Sequence, residues 1–187
     1  MKIEILEIAG LYPALAALHL PMNRERKAKR IGTILHHSLE EPVEGGEIYQ
    51  SSERIWVPNR DVELMKKLVL AGDEHAKVLR GIVVWYEITA PIYWWYDLET
   101  YRMGHERLCS ESTMHGECKN LYGEELQRVK GEIPLSHMHK KVDYFSYQCL
   151  RTTYRQRKNH RLPEFKEFCQ AIEKLPFADN LITVGLK

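Results

Sequence analysis

Residues 99–115 read ETYRMGHERLCSESTMH and follow directly on the aromatic stretch APIYWWYDL. They hold two Arg, two His, three Glu and one Cys among several hydroxyls, with almost nothing large and aliphatic. Such a donor set suits three tasks at once. Guanidinium and backbone N–H groups bind phosphate, hydroxyls bind a sugar, and a carboxylate accepts from the N–H of a base edge. The candidates are Arg102, Ser110, Glu111, Ser112, Thr113 and His115. The competing reading is a solvent loop whose hydroxyls cap turns. From composition alone the two readings stand level.

A second cluster is RTTYRQRKNHR, residues 151–161, with four arginines and one lysine around Tyr154. On a helix Arg151, Arg155 and Lys158 fall on neighbouring turns, and Arg157 with Arg161 forms another row. Phosphate binding is one use of such a cluster. A solvated or RNA-touching helix end is the other, since cations near a helix C-terminus are favoured by its dipole alone. The histidines offer less. His137 and His139 are two apart and His36-His37 are adjacent, neither of which is a metal-ligand spacing on one helix face, so no metal site is expected. Cys109 sits near His105 and His115, but a free cysteine is more often inert than nucleophilic. There is no Gly-rich phosphate loop and no Ser-centred elbow.

These residues need a scaffold, and 187 residues with 44% hydrophobic content supply one domain, 1–187, with a real core. A net charge of +1 argues against whole-molecule attraction to nucleic acid or anionic membrane. No apolar run approaches a bilayer span. The opening MKIEILEIAG lacks a signal-peptide core, and the four scattered cysteines show no CxxC pair. A reducing cytoplasm, of a bacterium or a phage-infected host, is the expected setting.

KIEILEI alternates as a half-buried strand does, and AGLYPALAAL reads as a turn into a short helix. Residues 23–30 form a charge run, and Gly45-Gly46 marks a turn between β-like pieces. In residues 58–81, Val62, Met65, Val69, Ala76 and Leu79 keep helical spacing, with Asn59 or Asp61 as cap and Gly72 as a break. GIVVWYEIT reads as a buried strand. Thr89 is expected to cap a helix that runs through Arg102 to a stop near Gly104. LYGEELQRV reads as a weak helix. A long helix from Ser136 to Asn159 is expected to bury Met138, Val142, Phe145 and Cys149. Pro163 opens a last helix burying Phe165, Phe168, Cys169 and Ile172, and NLITVG reads as a short strand. The order is α+β, not doubly wound.

The segment LMKKLVLAGDEHAKVLRGIVVWYEITAPIYWWYDLETYRMGHERLCSESTMH resembles the central part of the flavin-dependent thymidylate synthases, the ThyX family. In that family a helix ends in AGHES…EH. A strand follows, then an ARQLLRHR-type helix and an SxNExSxRY loop. The likeness is best over residues 64–115 and looser over 1–175, with shortened, phage-type relatives nearest. The family's RHR falls on Thr100-Tyr101-Arg102, and its NExSxR on Ser110 to His115. AGHES becomes Ala71-Gly72-Asp73-Glu74-His75, and ARxxLP becomes Val129 to Pro134, with Lys130 for the phosphate Arg. Its NxR resembles Gln148 to Arg151, and its next Arg falls at His160, beside Arg157 and Arg161.

The resemblance implies a ThyX-like fold and a homotetramer with sites shared between chains. It implies an enzyme that uses FAD, NADPH and methylenetetrahydrofolate to move a one-carbon unit to deoxyuridylate or a close pyrimidine analogue. Glu111, Ser112, Thr113, His115 and Lys130 would face the nucleotide. Glu74, His75, Arg102, Ser110, Gln148 and Arg151 would lie nearer the flavin, with Arg157, His160 and Arg161 as the catalytic group. The alternative is a non-catalytic nucleotide- or nucleic-acid-binding module that kept the fold and lost the flavin.

Overall fold

A computed structural model of the chain describes residues 1–22, 29–33, 47–50 and 53–186. Strand β1 (Lys2–Ala9) leads through Gly10 into α1 (Leu11–His19), which buries Leu11, Ala14, Leu15 and Leu18. Gly10 has φ +86°, and a β-carbon there would lie 1.8 Å from the Gly81 carbonyl oxygen, so only glycine allows this approach. Strands β2 (Lys29–Thr33), β3 (Glu47–Gln50) and β4 (Glu53–Trp56) form an antiparallel sheet ordered β2-β4-β3. Residues 23–28, His36-His37 and the Gly45-Gly46 turn lie outside the described residues.

The expected helical stretch is two helices, α2 (Asn59–Leu70) and α3 (Val78–Gly81), parted where Gly72 takes φ +120°. All five stripe residues, Val62, Met65, Val69, Ala76 and Leu79, are buried. Neither Asn59 nor Asp61 caps α2, because Pro58 occupies the cap position. Asp61 is instead buried, 3.2 Å from His19 Nε2.

Strand β5 (Val83–Pro91) runs past Thr89, and α4 (Ile92–Leu98) starts later than Thr89 would have it. No cap side chain is needed: the Ile92 and Tyr93 N–H groups donate to the carbonyls of His137 and Leu135. The polar segment is not all loop, since His105–Ser110 forms β6. Its exposed charges suit an edge strand. Helix α5 (Gly123–Glu132) is present and buries none of its residues.

The largest correction concerns the long helix. Met138–Ser146 is a strand, β7, and only Tyr147–Arg157 is helical, as α6. Met138 is exposed, so the expected stripe does not exist. The alternation Lys141, Asp143, Phe145 inward and Val142, Tyr144 outward has period 2, and pairing with strands on both sides fixes it. The cap of α6 is Ser146, whose Oγ accepts from Cys149 N–H at 3.2 Å. Helix α7 (Pro163–Glu173) buries Phe165, Phe168, Cys169 and Ile172 as expected, and a π-helical turn at Ala178–Ile182 replaces the expected strand.

The main sheet is ordered β1-β5-β7-β6 and is antiparallel at every pairing, an α+β arrangement. Its inner face sends Val84, Tyr86, Ile88 and Phe145 against α4 and α7. Trp94 of α4 packs on Phe165 and Phe168, with ring centroids 5.5 and 5.6 Å away, and Phe168 also meets Tyr86 at 5.8 Å. Aromatic pairs of this kind add about 0.5–1.5 kcal/mol each beyond area burial. The aromatic stretch before Glu99 is thus a core wall, and the polar segment leaves from its end.

Candidate functional site

The chain beyond α4 turns sharply through Thr100–Gly104 before entering β6. With one face of α6 and the end of α3 this turn encloses an open cleft of about 720 Å³, lined by Arg80, Thr100–Gly104, Ser146, Gln148, Cys149, Thr152 and Gln156. Gln148, Thr152 and Gln156 sit at i, i+4 and i+8, which stacks them on one side of the helix. The lining carries two arginines, Arg80 and Arg102, and no carboxylate.

Tyr101 anchors the turn. Its hydroxyl accepts from Arg157 Nε at 2.8 Å and donates to Gln156 Oε1 at 3.0 Å. Its carbonyl accepts from His105 Nδ1 at 3.2 Å, and His105 Nε2 lies 2.8 Å from Asp143 Oδ2. The two side chains of that pair are 5% and 0% exposed, and the imidazole stacks on Phe145 with centroids 4.1 Å apart. Next to it, Glu99 accepts from both Lys141 and Arg107. Burial pushes the Glu99 carboxyl up, but the two cations outweigh it and hold the group below its usual range. Cys149 also lines the cleft, and burial pushes its thiol up to about 11, which disfavours the thiolate.

A second constellation lies at the other end of β6. Lys130 Nζ donates to Thr113 Oγ1. Glu111 Oε2 accepts from Lys140 N–H at 2.9 Å while its own N–H donates to the Lys140 carbonyl. Ser112 and His115 are exposed in the turn that follows. The seven-residue advance from Gly104 to Glu111 sets this shelf toward the other end of β6 from the cleft, at most roughly 23 Å away at about 3.3 Å per residue.

The remaining candidates are dispersed. Arg102 and Gln148 line the cleft, and Ser110 ends β6 beside the shelf. Glu74 and His75 are exposed in the turn before α3, 3.6 Å from each other. Arg151 Nη1 donates to the carbonyls of Ile182 and Val184 at 2.7 and 2.9 Å, and Lys158 donates to that of Leu186. Burial lowers the Arg151 pKa from its usual value, with Asp73 opposing. Arg157 packs over Phe165 at 4.6 Å and donates to His160 Nε2 at 2.9 Å, whereas Arg161 is exposed. The guanidiniums of Arg151 and Arg157 are therefore partly engaged by contacts inside the chain. Arg80 and Gln156 were missed by sequence reasoning. Their place in the cleft depends on the pairing of β5 with β7, which no local pattern announces. Among the described residues no group of three His, Cys, Asp or Glu could hold a metal, and no helix is long and apolar enough to cross a membrane.

No family model matches the chain, and no curated protein matches it in sequence. Solved structures do match in fold. A flavin-dependent thymidylate synthase ThyX from Helicobacter pylori, complexed with FAD and dUMP, superposes with a TM-score of 0.66 at 15% identity, covering 100% of both chains. A second structure of the Helicobacter pylori protein with FAD and dUMP gives 0.62 at 14% identity over 94% of each. The chain has a ThyX-like fold.

Proposed function

We propose that this chain is a flavin-dependent thymidylate synthase-like enzyme acting on a pyrimidine deoxynucleotide, dUMP or a close analogue. The observation that carries the proposal is the acid-free, two-arginine cleft set on a ThyX-like fold. Its residues fit a dinucleotide flavin. Arg80 and Arg102 offer charge to phosphates, Gln148 and Gln156 offer amides, and Thr100 and Thr152 offer hydroxyls. Bound there, FAD would supply hydride, with NADPH and methylenetetrahydrofolate as co-substrates.

The chain's own residues bind and orient. Lys130, held at Thr113, would meet the nucleotide phosphate, with Ser112 and His115 beside it. Glu111, braced on one oxygen by Lys140 N–H, keeps its second oxygen to accept from a ring N–H. The Asp143–His105–Tyr101 bonds would hold the cleft wall in place, with Arg157 bonded to both Tyr101 and His160 behind it and Arg161 exposed nearby in the chain. Shelf and cleft lie toward opposite ends of β6, at most roughly 23 Å apart at about 3.3 Å per residue, a wide span for one nucleotide within a single chain. A site completed between copies, as in a homotetramer, meets that constraint. Free thiols at all four cysteines favour a reducing cytoplasm.

The internal engagement of Arg151 and Arg157 favours a second reading, a nucleotide-binding module without flavin. A visible spectrum of the purified protein with and without added FAD separates the two. Flavin absorbance that stays with the protein, together with thermal stabilisation by dUMP, supports the enzyme. A colourless protein that FAD does not restore, but that dUMP still stabilises, supports the module.

A further inference from the structure

We propose that Arg80 is an anion-binding residue of the cleft, oriented by Gln148 and acting with Arg102 on a diphosphate group; for its FAD probe the proposal rests on the flavin reading above. Arg80 lies in the short helix α3, while Arg102 follows α4, so two separate elements bring a cation to one cleft. Arg80 Nε donates to Gln148 Oε1 at 2.9 Å, and Nη2 reaches the Asp73 carbonyl at 3.4 Å. Both partners are neutral acceptors, so the guanidinium is steered without being neutralised. Among the described residues Nη1 has no partner, and the Arg102 guanidinium has none.

A long, exposed arginine normally loses much of its binding energy to rotamer entropy. One that is already held spends less on ligand binding, because the planar fork is pre-organised. Two cations in one cleft with no lining carboxylate, one of them already oriented, disfavour the empty cleft and favour a ligand with adjacent negative charges. A diphosphate satisfies both arginines, and an uncharged ring system satisfies neither.

The test measures binding by calorimetry for inorganic pyrophosphate, FAD and riboflavin on the full chain. The proteins are the parent, R80Q, R80K, R102Q and Q148A. We expect R80Q and R102Q each to weaken pyrophosphate and FAD roughly 10- to 100-fold, the loss of a charged hydrogen bond. Riboflavin should be unaffected. R80K should recover little, because an ammonium lacks the fork that Gln148 holds, and Q148A should fall between R80Q and the parent. R80Q affinities within twofold of the parent for both phosphate probes would overturn the proposal. So would an equal loss for riboflavin, or a parent that binds no pyrophosphate. Arg80-dependent pyrophosphate binding without FAD binding would keep the anion site and sink the flavin reading. FAD binding by the parent, with both FAD and pyrophosphate indifferent to R80Q, would sink the anion site and keep the flavin reading.

Discussion

Gly104 and Ser146 meet so closely that no methyl group fits between them. A β-carbon on Gly104 would lie 2.1 Å from Ser146 Oγ, and Gly104 itself has φ +80°. Ser146 N–H donates to the Gly104 carbonyl at 2.6 Å, and its hydroxyl caps α6. One contact therefore joins the turn of the cleft to the helix that forms its other wall. G104A combines left-handed backbone strain with displacement of the cap. We expect a loss of about 2 kcal/mol or more, measured by urea unfolding, against about 1 kcal/mol for S146A. A G104A protein with the parent's midpoint would show that the contact is dispensable.

Glu99 gives the pH behaviour a definite sign. Its folded-state pKa is lowered because Lys141 and Arg107 outweigh burial. The stabilisation is therefore complete above the ordinary carboxylate range and disappears as pH falls through the lowered value. E99Q should be less stable than the parent at neutral pH, and the gap should close in acid. Equal stabilities across the whole titration would refute the assignment.

The cysteines should separate by reactivity. Cys109 is exposed, whereas Cys118, Cys149 and Cys169 are buried. Burial pushes the Cys149 thiol to about 11, and burial with Glu173 nearby pushes Cys169 to about 12. Iodoacetamide on the folded protein should modify Cys109 first, and all four only after unfolding. Mass spectrometry of the alkylated peptides reads the order, and early labelling of Cys149 would contradict the packing around the cleft.

Shelf and cleft should respond to separate mutations. R102Q is expected to weaken FAD roughly 10- to 100-fold with little change for dUMP. K130Q is expected to weaken dUMP by a similar factor with little change for FAD. Titrations of each ligand alone decide this. If either substitution weakened both ligands equally, the two stations would not be distinct.

Much of this was legible in the residues themselves. The stripe from Val62 to Leu79, the buried strand at Val83–Pro91 and the Pro163 helix carry patterns that tertiary contacts reinforce. Lys130 and Thr113, aligned only through a family resemblance, do meet. Residues 138–146 misled because Met138, Val142, Phe145 and Cys149 also fit a helical period, and only pairing with β5 and β6 selects the strand. Thr89 misled because the first amides of α4 find carbonyls at Leu135 and His137, more than forty residues away. Helical spacing places Arg151 in a phosphate-binding row or on a solvated helix end, and it does not reveal that Nη1 donates to backbone carbonyls near the far end of the chain.

The placement of β6 between Arg102 and Lys130 has a genetic corollary. If each working centre borrows its two ends from different copies, a lesion at one end and a lesion at the other do not add up in trans. Two alleles, each silent alone, would then complement when co-expressed, because mixed assemblies contain some centres built from the sound end of each parent.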